Sequence, residues 1–142
     1  MDNGKAGNLS RIEELLEFAG EMNYKKVGLA YCYGMEPLAM DIRSLFLKRA
    51  IPCTGISCTC GAIPQKVVNP ESTLEGVSCN PLGQAGQLML DGVDLAVVVG
   101  LCMGHDILFQ REFNRDQTTL VVKDRVFNHC PVQGIEKCKT LS

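Results

Sequence analysis

Tryptophan is absent from this chain of 142 residues, and aromatic side chains make up only 6% of it. The sequence also has no run of lysines or arginines, and its formal net charge is only −2. Proteins that bind nucleic acid or an anionic membrane surface commonly rely on a basic patch, and single-strand binders add stacking aromatic rings. We therefore expect no nucleic-acid partner and no membrane partner.

The sequence has no long hydrophobic run either. Its longest apolar stretch, residues 93–101, contains Asp94 and falls far short of the roughly 20 residues that cross a bilayer. The first ten residues show no basic segment followed by an apolar one, as a secretory signal would. A chain of this length can bury one core, so we predict a single domain over residues 1–142, in a cytoplasmic and reducing compartment.

Apolar runs alternate with amphipathic helical patterns along the chain. Ser10 and Glu13 form a capping-box pattern that predicts a helix from Arg11, and Asn80 followed by Pro81 predicts the start of another. Strands are predicted at residues 25–32, 51–57, 95–99 and 118–124, with a helix at 104–113, an ambiguous tail from residue 125 and a long loop from 60 to 78. This alternation predicts an α/β fold: a small doubly wound parallel sheet of about four strands, with helices on both faces.

Eight cysteines are the unusual feature of the composition. Five of them follow predicted strands or precede a predicted helix at the carboxyl edge of the sheet, where ligands bind in such folds; they are Cys32, Cys58, Cys60, Cys79 and Cys102. Thiolates are soft ligands for zinc and iron–sulfur clusters, and ligands scattered over strand ends suit a cluster or an open metal site better than a zinc finger. We predict a metal site at this edge.

The remaining cysteines have simpler explanations. Cys53 lies inside a predicted strand and is expected to be a core residue. Cys138 lies in a polar tail and is expected to be an exposed thiol. Cys130 precedes Pro131, so it is either a late ligand or a turn residue.

Polar residues accompany the predicted site. His105 follows Cys102 by three positions and could be a ligand, an acid–base group or a helix-capping side chain. Four more polar residues follow the fourth predicted strand, namely Lys123, Asp124, Arg125 and His129. They form either a solvated ion-pair group or a rim that binds an anion or substrate beside the metal. We take His105, Lys123, Asp124 and His129 as candidate catalytic residues.

Four motifs together resemble one known family: GLAYC at 28–32, CNPLGQA at 79–85, VVGLCMGHD at 98–106 and TTLVVKDRV at 118–126. This is domain-of-unknown-function family number 1847, described as predicted metal-binding proteins of bacteria and archaea. The resemblance implies that Cys32, Cys58, Cys79 and Cys102 form the cysteine set. Members often begin with an additional cysteine-rich segment that this sequence lacks, and Cys60 and Cys130 depart from the family pattern.

These observations lead to three hypotheses. The first is an iron–sulfur protein, with a 4Fe–4S cluster used for electron transfer or as a Lewis acid on a small substrate. The second is a zinc-dependent enzyme or a zinc-stabilised module that uses the same thiolates. The third is a metal-free thiol redox protein in which Cys102 pairs reversibly with a neighbour. A redox partner protein, a small-molecule substrate and a homo-oligomer are compatible with all three, and the sequence does not decide whether the protein is an enzyme.

Overall fold

A four-stranded parallel sheet forms the centre of the computed structural model, which describes residues 7–60 and 79–141. The strands are β1 (Val27–Tyr31), β2 (Cys53–Ser57), β3 (Leu95–Val99) and β4 (Asp116–Val121), in the spatial order β2-β1-β3-β4. Every residue of β1 and β3 is buried. Their continuous apolar sequences suit central strands covered on both faces, as predicted.

Helices cover both faces of the sheet. They are α1 (Arg11–Glu21), α2 (Glu36–Lys48), α3 (Pro81–Leu90), α4 (Met103–Glu112) and α5 (Pro131–Leu141). A 3-10 helix (Tyr33–Met35) leads directly into α2. Because crossovers between parallel strands are right-handed, α2 lies on one face of the sheet and α3 on the other. On the first face, Arg49 at the end of α2 pairs with Glu17 of α1 at 3.5 Å. On the second face, α3 packs against α4. The predicted doubly wound α/β fold is confirmed.

Local capping signals correctly located the helix starts, whereas the predicted ends of β4 were wrong. The capping box of Ser10 and Glu13 is formed, and α1 begins at Arg11. β4 begins two residues earlier than predicted and ends three residues earlier. The reason is pairing: Asp116 and Val121 face Leu95 and Val99, the first and last residues of β3. Apart from residue 60, the predicted long loop from 60 to 78 lies outside the described residues.

The sheet has a topological switch point between β1 and β3. The chain leaves β1 toward β2 on one side and leaves β3 toward β4 on the other, which opens a crevice at the carboxyl ends of these strands. Gly100 joins the ends: it donates to the carbonyl of Val121 at 2.8 Å and accepts from the amide of Cys32 at 2.9 Å. Its φ of +73° favours glycine, and a Cβ atom there would lie 2.9 Å from the side chain of Met35.

None of the helices in residues 7–60 and 79–141 combines the length and the apolar character that a membrane crossing requires.

Candidate functional site

Three of the five predicted site cysteines lie together at the switch point. Cys32 directly follows β1, Cys58 directly follows β2, and Cys79 directly precedes the N-cap of α3. The Sγ atoms of Cys58 and Cys79 are 3.5 Å apart, and the side chain of Cys58 is near enough to that of Cys32 to help lower its pKa. We call Cys32, Cys58 and Cys79 the thiol cluster.

Backbone hydrogen bonds hold these three segments in place. The amide of Cys58 donates to the carbonyl of Tyr31 at 2.8 Å, which extends the pairing of β1 and β2 beyond the end of β2. The amide of Asn80 donates to the carbonyl of Cys58 at 2.5 Å, which fixes the start of α3 against the same segment. Asn80 also caps α3, because its side-chain oxygen accepts from the amide of Gly83 at 2.9 Å.

The start of the 3-10 helix donates backbone N–H groups to two sulfurs. The amide of Tyr33 donates to Cys58 Sγ at 3.4 Å, and the amide of Gly34 bonds to the side chain of Cys32. Unpaired N–H groups at the beginning of a helical segment favour negative charge. These amides therefore stabilise thiolates at both positions. Sequence reasoning missed them, because nothing in the letters YGM indicates a short helix at that point.

Two cations from the segment after β4 complete the arrangement. Lys123 Nζ lies 2.7 Å from Cys32 Sγ, and a guanidinium nitrogen of Arg125 lies 3.5 Å from Cys102 Sγ. Both residues were predicted to lie at this edge, as an anion-binding rim or a solvated group. In the structure each of them contacts a thiol, so one short segment supplies a cation to the cysteine after β1 and another to the cysteine after β3. Their role as a rim that binds an anion or substrate stays a prediction.

These contacts divide the thiols into two protonation classes. Burial would raise the pKa of Cys32, but the hydrogen bonds from Lys123 and Gly34, with the charge of Lys123, hold that pKa below its usual value. Burial raises the pKa of Cys58 to about 12 and also raises the pKa of Cys60. Of Cys32, Cys58 and Cys60, Cys32 is therefore the readiest to react or to bind as a thiolate, whereas Cys58 has to release a proton before it can bind a metal.

The other two predicted cysteine ligands lie beside the cluster. Cys60 is half-buried, and its thiol donates to the carbonyl of Asn80 at 3.6 Å. Cys102 is the N-cap residue of α4, as its position before a predicted helix suggested, and its described sulfur contact is with Arg125. Membership of Cys102 in a site shared with the thiol cluster stays a prediction.

The candidate catalytic residues have different surroundings. His105 is half-buried in the first turn of α4. Asp124 accepts the amides of Val126 and Phe127 at 3.0 Å each, and its own amide donates to Nδ1 of His129 at 3.1 Å. Because Nδ1 of His129 is an acceptor, a neutral ring carries its proton on Nε2. Asp124 and His129 thus shape a turn, and Nε2 of His129 is a hydrogen-bond donor.

The cysteines that were set apart behave largely as expected. Cys53 is buried in β2, as predicted for a core residue, and Cys138 is exposed, as predicted for the tail. Cys130 is half-buried, and its amide bonds to the carbonyl of Phe127 at 3.1 Å in the turn before α5. This contact favours the turn role for Cys130.

The thiol cluster is not a ready-made ion site. Within residues 7–60 and 79–141, no group of three or more His, Cys, Asp or Glu side chains has the arrangement of metal ligands. The donor chemistry nevertheless fits a soft metal, because two thiols in contact have a third beside them. A bound ion would need one further side chain to turn toward Cys58 and Cys79.

Comparison with known proteins agrees with the motifs. Residues 3–120 match the family described as "Protein of unknown function (DUF1847)". An uncharacterized protein of Methanocaldococcus jannaschii is 41% identical over 123 residues, covering 84% of this chain and 63% of the relative. The chain thus spans less than two thirds of the length of that relative. On both grounds, this chain belongs to the family of unknown function called DUF1847.

Proposed function

We propose that this protein binds a soft metal ion at the switch point, with Cys58 and Cys79 as the first pair of ligands and Cys32 as the nearest candidate for the third. The carrying observation is the distance of 3.5 Å between the Sγ atoms of Cys58 and Cys79. Two thiolates bound tetrahedrally to one zinc ion at about 2.3 Å have their sulfurs about 3.8 Å apart. The pair therefore needs little movement to hold a single ion.

The same distance separates the two metal hypotheses. Cysteines bound to different irons of a cubane cluster hold their sulfurs roughly 6 Å apart. A 4Fe–4S cluster would thus require Cys58 and Cys79 to separate and Cys102 to join them, whereas a zinc-type ion would use the pair as it lies. We propose the single ion as the resident metal, with the cluster as the alternative that spectroscopy distinguishes.

Lys123 has a definite role in this proposal. Its ammonium group neutralises the Cys32 thiolate, which lies beside Cys58 and Cys79. Cys32 would be the third ligand of a bound ion if it turned from Lys123 toward Cys58 and Cys79, and His105 is the alternative third side chain. A bound ion of this type can act as a Lewis acid on a small substrate, and Nε2 of His129 could then donate a hydrogen bond to that substrate.

The contact of 2.7 Å between Lys123 and Cys32 favours a second candidate function, thiol–disulfide exchange. The Cys32 thiolate would attack a low-mass disulfide and release one thiolate. Cys58, after losing its proton, would then attack the Cys32 sulfur of this mixed disulfide, forming the Cys32–Cys58 disulfide and releasing the second low-mass thiolate. This function would need Cys32 and Cys58 but neither a metal nor Cys79.

Protein purified without oxygen distinguishes these functions through metal analysis and absorbance. We expect one ion per chain, and Cys58→Ser and Cys79→Ser should each weaken Co²⁺ binding by at least about 100-fold, because each removes a ligand. The matched control is Cys53→Ser, which changes a buried thiol of the adjoining strand and should keep the ion. Four irons with absorbance near about 400 nm would identify the cluster instead. A metal-free protein with a Cys32–Cys58 disulfide would support thiol exchange and refute the metal proposal.

A further inference from the structure

Gln84 is a polar side chain in the middle of the core. It lies one turn after Asn80 on α3 and is wholly buried, with 0% of its surface exposed. Its Nε2 donates to the backbone carbonyl of Ile56 at 2.7 Å and to that of Tyr31 at 3.1 Å. One side-chain amide therefore connects α3 to β2 and to β1.

The two carbonyls lie immediately before the thiol cluster. Tyr31 precedes Cys32 in the chain, and Ile56 lies two residues before Cys58. The carbonyl of Tyr31 also accepts the amide of Cys58. Gln84 therefore bonds to the ends of β1 and β2, directly before Cys32 and Cys58. Cys79 lies just before the helix that carries Gln84. The Gln84 amide is thus where the three thiol-bearing segments meet.

The oxygen of the same side-chain amide, Oε1, indicates that Gln84 contributes little to the stability of the core. Gln84 Oε1 is buried and accepts no hydrogen bond from the part of the chain that the structure describes. A buried acceptor without a partner is unfavourable, and this offsets much of the gain from the two bonds of Nε2. A methionine of similar length would fill the same volume and would remove the unpaired Oε1. It would also remove the bond to the carbonyl of Ile56, whereas the carbonyl of Tyr31 would keep the amide of Cys58 as a donor.

From this geometry we infer that Gln84 is a positioning residue for the thiol cluster. By joining α3 to the ends of β1 and β2, its amide sets the distance between the sulfurs of Cys58 and Cys79. The inference rests on the proposed function and deepens it, since the spacing of the two sulfurs determines how tightly they hold an ion. Side chains that orient ligands in this way typically change metal affinity by 10–100-fold when removed.

Anaerobic Co²⁺ titration of Gln84→Met tests the inference. We expect about 10–100-fold weaker binding than in the wild type and an altered thiolate–cobalt absorption band. The urea midpoint of the metal-free protein should stay the same, which a purely structural role would not allow. Gln87→Met is the matched control: it changes an exposed glutamine of the same helix, bonded to Asp91, and should leave both the affinity and the spectrum as in the wild type.

A metal-free measurement keeps this inference separate from the proposed function. This measurement uses a Cys32→Ser background, in which Cys58 cannot pair with Cys32. In a glutathione redox buffer, glutathione disulfide then oxidises Cys58 and Cys79 to a disulfide and releases two glutathione thiols. We expect Gln84→Met to shift this equilibrium at least about tenfold toward the free thiols. If the wild type binds no Co²⁺, the proposed function fails, and this equilibrium alone decides the role of Gln84.

Three results would overturn the positioning role. One is wild-type Co²⁺ affinity and spectrum in Gln84→Met. Another is a wild-type disulfide equilibrium in that variant. The third is loss of the folded state both in Gln84→Met and in a second variant, Gln84→Leu, because Gln84 would then support the core as a whole.

Discussion

At the scale of single residues, two buried cysteines at the two ends of one strand have different surroundings. Cys53 opens β2 and packs in the core, whereas Cys58 follows β2 and lies against a second sulfur. Burial raises the pKa of both thiols to about 12. For Cys58 the raised pKa makes proton release part of metal binding. For Cys53 the raised pKa affects only the free energy of unfolding, so this effect can be measured without a metal.

The metal-free protein should lose stability as the pH rises above about 8.5, partly because of Cys53. Its thiol has an ordinary pKa of about 8.5 when unfolded, but burial raises the folded value to about 12, so above pH 8.5 the unfolded chain binds fewer protons. The contribution of the Cys53 thiol to the free energy of unfolding is complete below pH 8.5 and is lost as the pH rises toward 12. The free energy of unfolding falls through this group by at most about 1.4 kcal/mol per pH unit.

Urea unfolding under reducing conditions, from about pH 7.5 to 10.5, measures this slope. Cys53→Ala should make the slope shallower, while Cys138→Ala, which changes an exposed thiol, should keep the wild-type slope. An unchanged slope in Cys53→Ala would mean that the Cys53 thiol ionises in the folded protein as it does when unfolded.

At the scale of helices and strands, α3 brings both Cys79 and Gln84 to the site, so its first turn deserves a direct test. Asn80→Ala removes the side-chain oxygen that accepts from the amide of Gly83. We expect a loss of roughly 0.5–2 kcal/mol in the free energy of unfolding. Asn80→Asp keeps an accepting oxygen and should remain close to the wild type in the same urea titration. If both variants lost the same amount, the cap would not be the cause.

The success of sequence reasoning differed between elements for physical reasons. The starts of α1 and α3 were predictable because Ser10 and Asn80 satisfy helix amides within three residues of themselves. The ends of β4 were not, because a strand extends only as far as its neighbour, and β3 ends at Val99. The helix α5 was not predicted either. Sequence reveals a helix through apolar residues repeated along the face that packs on the core, and no side chain of α5 is buried.

The same distinction applies to the candidate site. The strand-end positions of Cys32 and Cys58 followed from the parallel topology, and so did their meeting at one edge. The contact between Lys123 and Cys32 joins residues 91 positions apart and depends on how the chain turns after β4. Sequence placed both residues at this edge but could not pair them. The amides of the 3-10 helix at Tyr33 and Gly34 were missed for a local reason, since nothing in the letters YGM indicates a short helix.

At the scale of the whole molecule, the family match covers all of the sheet except its last residue, Val121, and does not cover the segment that follows. The matched residues, 3–120, include the thiol cluster and Cys102. Lys123, Arg125 and α5 lie beyond residue 120. The cysteines and the cations that contact them therefore fall in differently matched parts of the chain, and the contribution of the last part can be tested separately by truncation.

A chain that ends at Cys130 should fold and keep its metal affinity. No residue of α5 is buried. Its contacts with the preceding turn include Lys137, 5.9 Å from the centre of the Phe127 ring, and the amide of Gln133, which donates to the carbonyl of Cys130 at 3.1 Å. An exposed cation–π pair contributes about 0.5–1 kcal/mol. We therefore expect the melting temperature to fall by no more than about 5 °C, and Co²⁺ binding to stay unchanged.

Deleting residues 1–22 provides the opposite control, because it removes α1 with the buried side chains Leu15, Leu16 and Ala19. Losing a buried leucine side chain alone costs about 2–5 kcal/mol, so this variant should unfold or nearly so. If the chain ending at Cys130 behaved like this control, α5 would be part of the folding unit. A cooperative transition close to that of the wild type, with the thiols still binding Co²⁺, would instead assign folding and metal binding to the residues before Pro131.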